Sequence, residues 1–193
     1  MKKMAGHGNQ TSLQRNVHAL VAPVVENAGF DLVELRLLRG PKGATRLQLF
    51  IDRPTGVLVD DCAAISRKVG AMLEIEDPIK GAYDLEVSSP GMKRLIRHAA
   101  DVERFAGVRA RVTLTETGDS PRITHIGALV SADDETVTVK LDSGEQVTAA
   151  WSATYRVSLD PTVDQWLELG EQQRRAAEAV ASNTSEEQQT TED

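Results

Sequence analysis

At 193 residues the chain is long enough for one ordinary domain or two small ones, and too short for a multidomain enzyme. With 40% apolar and 26% charged residues and a mean hydropathy of -0.30, its composition is that of a folded, water-soluble protein and excludes a wholly disordered or fibrous one. The net charge of -7 argues against a nucleic-acid partner only until it is divided: residues 160–193 hold nine acids against two bases, whereas residues 93–111 hold six bases against two acids.

Residues 1–11 are polar and without period, which predicts a disordered N-terminus. From Ser12, Leu13, Val17, Leu20, Val21, Val24, Val25 and Ala28 recur at three- and four-residue spacing, the pattern of one helix face, and Gly29 is a natural stop. Pro23 lies inside that pattern and should bend the helix or begin its last segment. Residues 30–38 and 46–52 alternate, with Val33, Leu35 and Leu37, then Leu47, Leu49 and Ile51, each on one face of a half-buried strand. Between them Gly40-Pro41-Lys42-Gly43 matches the GXXG of a KH domain, but it joins two strands where that motif joins two helices, so it reads as a hairpin turn.

Asp60 or Asp61 should cap a second helix whose buried stripe is Cys62, Ile65, Val69, Met72 and Leu73, ending at Asp77-Pro78. A third strand over 83–88 turns Tyr83, Leu85 and Val87 inward. The order helix, strand, strand, helix, strand predicts an α+β domain over 12–91, a three-stranded sheet covered by two helices. Ser89-Pro90-Gly91 should form a type II turn at a junction, and residues 92–106 a basic linker. Short strands then follow at 108–115, 123–131, 136–141, 145–150 and 155–159, which over 107–159 predicts a small all-β, SH3-like barrel. Residues 160–193 form an acidic extension, a helix to about Ala181 followed by a disordered tail.

The chemistry the residues exclude is as informative. A single cysteine, Cys62, rules out an internal disulfide, and His7, His18, His98 and His125 have no paired spacing, so no metal site is expected. No Walker loop or dinucleotide fingerprint occurs, and Ser88 and Ser89 lack an evident activating base, so the expectation is no catalytic residue, no cofactor and no small-molecule substrate. Asp60-Asp61 and Glu74, Glu76 and Asp77 are explained by helix ends and need no cation. The apolar run 19–25 contains a proline and is a third of a membrane span, and residues 1–8 lack a signal-peptide core; a cytoplasmic protein without a membrane partner is expected.

Seven fragments in order carry a resemblance: Pro23-Val24-Val25-Glu26, Gly29-Phe30-Asp31-Leu32-Val33, Asp60-Asp61-Cys62, Ile65-Ser66-Arg67, Glu76-Asp77-Pro78-Ile79, Gly81-Ala82-Tyr83 and Leu85-Glu86-Val87-Ser88-Ser89-Pro90-Gly91. Together they resemble the bacterial ribosome maturation factor RimP family over about residues 13–159. The resemblance implies an α/β domain followed by an SH3-like barrel, in a non-enzymatic factor that binds the small ribosomal subunit and promotes its maturation. Where the family commonly continues with an acid and Arg-Pro-Leu, this chain has Lys93-Arg94-Leu95-Ile96, so only Arg94 carries over. The candidate contacts to ribosomal RNA, or to an acidic protein patch, are Lys93, Arg94, Arg97, Arg104, Arg109 and Arg111, with the barrel gripping a ribosomal protein and the factor a monomer. The competing readings are a general RNA-binding module, against which the 4% aromatic content counts, and a protein–protein adaptor.

Overall fold

The computed structural model describes residues 11–39, 45–115 and 122–189; the Gly40–Gly43 motif and the Asp119-Ser120-Pro121 turn lie outside them. The chain divides into two compact units, Asn16–Ser89 with the chain from Val163 onward, and Pro90–Thr162, with which the residues up to Arg15 are grouped.

In the first unit, helix α1 (Ser12–Glu26) places Val17, Val21 and Val25 at a spacing of four, and all three are fully buried. Pro23 stands inside the helix. The helix stops where expected, with Gly29 at φ +82° and its N–H donating to the Glu26 carbonyl at 2.9 Å. Strands β1 (Asp31–Arg39) and β2 (Thr45–Asp52) pair antiparallel, and β2 pairs parallel with β3 (Tyr83–Ser88), giving the order β1-β2-β3. The alternation holds on β2, where Leu47, Leu49 and Ile51 are buried. On β1 it is interrupted: the register slips between Leu32 and Glu34, and Leu32 and Val33 are both buried, as a bulge allows.

Helix α2 (Val59–Glu76) supplies the parallel crossover and buries Ile65, Val69 and Leu73, while Cys62 and Met72 are only half-buried. Its start corrects the expected cap: neither Asp60 nor Asp61 precedes the helix. Leu58 is the cap residue, and Asp61 in the first turn accepts the Leu58 N–H at 2.8 Å and the Arg53 guanidinium at 2.7 Å. The helix ends at Asp77, which takes φ +41° as the left-handed cap.

The second unit begins before the strands. Residues 92–106, expected as a linker, contain most of a 3₁₀ turn (Gly91–Lys93), a segment hydrogen-bonded to a strand, and helix α3 (Ala99–Arg104), and they bury Leu95, Ile96, Val102 and Phe105. Strands β4 (Arg109–Leu114), β5 (Ile123–Ala132), β6 (Thr136–Leu141), β7 (Gln146–Ala150) and β8 (Thr154–Leu159) form one antiparallel sheet in the order β7-β6-β5-β4-β8. Ala110, Val112, Leu129, Val137, Val139, Trp151, Val157 and Leu159 are its core. Gly127 on β5 lies so close to the Lys140 carbonyl of β6 that any Cβ there would collide with backbone.

The strand order forces curvature. In a flat five-stranded sheet the edge strands would lie about 19 Å apart, four spacings of about 4.8 Å. Yet β7 and β8, at opposite ends of the order and running in the same direction, are joined only by the 3₁₀ turn Trp151–Ala153. The sheet is therefore strongly coiled. Among the described residues no ladder joins β7 to β8, so hydrogen bonding leaves it open.

Helix α4 (Val163–Gln189) begins after Thr162 as expected and continues past Ala181, where the composition predicts disorder. It groups with the α/β unit, and a side chain added at Gly56 would meet Gln173 of this helix.

Candidate nucleic-acid interface

The basic run at 93–111 is not one surface. Pro90 has φ -74° and ψ -9°, which is right-handed helical geometry and not the expected type II turn, although Gly91 does take the positive φ of +60°. After the 3₁₀ turn, Lys93 is exposed and the next four residues are buried.

The burial of residues 94–97 has a backbone cause. The Leu159 N–H donates to the Arg94 carbonyl at 2.8 Å and the Ile96 N–H to the Val157 carbonyl at 3.0 Å, so residues 94–96 lie along the outer edge of β8. Arg94, 4% exposed, then points its Nη1 at Asp101 Oδ1 and at the Leu95 carbonyl, both 2.8 Å away, with its guanidinium 5.0 Å from the centre of the Phe105 ring. Asp101, also buried, accepts the Arg97 N–H at 2.8 Å through Oδ2, and His98 Nδ1 lies 3.4 Å from the same oxygen. Arg97 is 8% exposed. A buried charge is stable only when paired and hydrogen-bonded, and Asp101 supplies both for Arg94. As folded, Arg94 and Arg97 are not presented to solvent, which corrects their expected place on a phosphate-facing surface.

The remaining candidates are accessible. Arg104 is half-buried, its guanidinium 4.8 Å from the Phe105 ring centre. Arg109 and Arg111 alternate along β4 with the buried Ala110 and Val112, which puts them on the outer face of the sheet. There Arg109 lies 3.7 Å from Asp142 and Arg111 3.3 Å from Asp160.

Strand pairing adds cations to that face that sequence reasoning passed over. Lys140 and Arg109 both stand opposite Ala128, so they share one row across β6, β5 and β4. Arg156 on β8 stands opposite Thr113, which in turn faces Thr124, their hydroxyls 3.2 Å apart. Arg122 lies with its guanidinium 3.5 Å from the centre of the Tyr155 ring. Arg109, Lys140 and Arg156 each follow the alternation of their own strand, but only the register across strands brings them together.

Other groups show local perturbation without converging. Asp133 accepts the N–H groups of Glu135 and Thr136, at 2.8 and 2.6 Å, and these hold its carboxyl below the usual range. Burial, then Asp61, pushes the Cys62 thiol up, and burial followed by Glu74 and Asp77 does the same to Tyr83. Among the described residues no three His, Cys, Asp or Glu side chains converge on a cation position, and no helix is long and apolar enough to cross a membrane.

Residues 20–93, from within α1 through β3 to the end of the 3₁₀ turn, match the family model described as the RimP N-terminal domain.

Proposed function

Since this chain belongs, through its N-terminal domain, to the RimP family of ribosome maturation factors, we propose that it binds the small ribosomal subunit in the cytoplasm and promotes its maturation without catalysing a reaction. The observation that carries this reading is the RimP N-terminal domain at residues 20–93. We read the five-stranded unit as an SH3-like barrel, a reading supported by the coiling that the three-residue link between β7 and β8 imposes. Its outer face, with Arg109, Arg111, Lys140 and Arg156, together with exposed Lys93 and half-buried Arg104, is the proposed contact to ribosomal RNA phosphates. Arg109 and Arg111 face exposed or half-exposed carboxylates that a phosphate can displace at small cost. Arg94 and Arg97 leave the contact set and hold the unit together. The factor acts as a monomer, with a ribosomal protein as its second partner.

Co-sedimentation of the purified protein with free small subunits, with mature ribosomes and with naked ribosomal RNA tests the proposal. Selective recovery with free small subunits is expected. Equal recovery with naked RNA would replace it with a general RNA-binding module, and recovery with none would leave the subunit without a role.

A further inference from the structure

The two edges of the five-stranded sheet differ. On the β4/β8 pair, the register and the Asp160 N–H donating to the Arg109 carbonyl show that Ser158 bonds toward β4. The N–H and C=O groups of Val157 and Leu159 therefore face outward, and the chain's own residues 94–96 occupy that edge.

The β7 edge has the same geometry, and no described residue bonds to it. The Trp151 N–H donates to the Glu135 carbonyl and the Leu141 N–H to the Glu145 carbonyl, each at 2.8 Å. In the β6/β7 register these bonds bracket the pairs Val137↔Ala149 and Val139↔Val147, so residues 145, 147, 149 and 151 bond toward β6. The intervening residues, Gln146, Thr148 and Ala150, turn their N–H and C=O groups away from the sheet. All three are exposed, and among the described residues β6 is the only strand paired with β7. The strand reads Gln-Val-Thr-Ala-Ala, without the lysine, proline or bulge that commonly guards an edge.

Charge decides what such an edge accepts. The turn beyond one end of β7 carries exposed Asp133, Asp134 and Glu135, and the other end carries exposed Asp142 and Glu145; Lys140 is the base nearest the strand in register. A second copy pairing antiparallel through β7 would set acid against acid, and a nucleic-acid strand would be repelled. An extended segment bearing lysine or arginine is attracted at both ends. The backbone half of this arrangement is already present on the other edge, where residues 94–96 pair with Val157 and Leu159.

We propose that the open edge of β7 takes up a basic, extended polypeptide segment as an added strand, bonded to Gln146, Thr148 and Ala150 and steered by the acidic turns at either end. This deepens the reading above by giving the protein partner its chemistry, and rests on that reading only for the partner's source.

The probe is a ten-residue peptide of alternating lysine and valine, titrated into the full-length protein while backbone amide resonances are followed. Shifts centred on Gln146, Thr148 and Ala150 are expected, with at least a tenfold loss of affinity for an alternating glutamate–valine peptide. Thr148→Pro removes an outward N–H and no ladder bond, and should abolish the shifts; Asp134→Lys/Glu145→Lys, which leaves the backbone intact, should weaken binding at least tenfold if the proline variant fails to fold. Absence of binding at millimolar peptide, undiminished binding to the charge variant, or shifts confined to β4 and β8 would overturn the proposal. Because no ribosome enters this titration, its failure is distinguishable from failure of subunit co-sedimentation by the wild-type protein.

Discussion

Two edges of one sheet, both presenting backbone groups, have opposite fates: β8 is closed by residues 94–96, whereas among the described residues β7 is left open. Closing β8 draws Arg94 and Arg97 into the interior, where Asp101 receives one guanidinium and one backbone N–H. Charge density along a sequence therefore does not measure charge available at a surface. Of six bases in the run, the two that follow the 3₁₀ turn most closely serve the fold, while Arg109 and Arg111, on a strand whose alternation points them outward, serve the surface.

The largest expected effect breaks the closed edge. Arg94→Ala leaves Asp101 buried without its guanidinium, and breaking a buried pair from one side costs about 3–5 kcal/mol. Urea denaturation should show that loss; a change below about 1 kcal/mol, the range of an exposed pair, would mean the pair is not buried in solution. Next, Gly127→Ala at the centre of the sheet drives a methyl group into the Lys140 carbonyl, and overpacking of this kind costs about 1–3 kcal/mol by the same measurement. By contrast Arg111→Ala, which removes only a half-exposed pair with Asp160, should alter stability by less than about 1 kcal/mol.

The smallest effect is one of pH. Asp133 has its folded pKa depressed by two backbone N–H donors, so its contribution is present above the unfolded carboxylate pKa of about 3.9 and is lost as pH falls through the lower folded value. Asp133→Asn should flatten the fall in Tm below about pH 4. An unchanged acid limb would mean those hydrogen bonds are not formed in solution.

Much of the fold was legible because it rests on short-range periodicity. The four-residue spacing of Val17, Val21 and Val25, the alternation of Leu47, Leu49 and Ile51, and β6 at residues 136–141 can all be read from neighbouring residues. The bulge at Val33 was not, because a bulge is defined by the partner strand. Helix α3 is six residues long, too short for its period to stand out, and it packs against β5, which comes later in the chain. The candidate site divides in the same way. Exposure of Arg109 and Arg111 follows from strand alternation, but burial of Arg94 depends on Asp101 and on the pairing of residues 94–96 with Val157 and Leu159, far along the sequence. The row shared by Lys140 and Arg109 likewise exists only in the register.

The central claim is that the accessible arginines, not the buried ones, meet the ribosome, and the salt dependence of subunit binding tests it most directly. Each phosphate contact contributes about 0.7–0.9 to the slope of log K against log salt. For Arg109→Ala/Arg111→Ala we predict a slope shallower by about 1.5 with an unchanged Tm. A slope equal to that of the wild type would contradict the account.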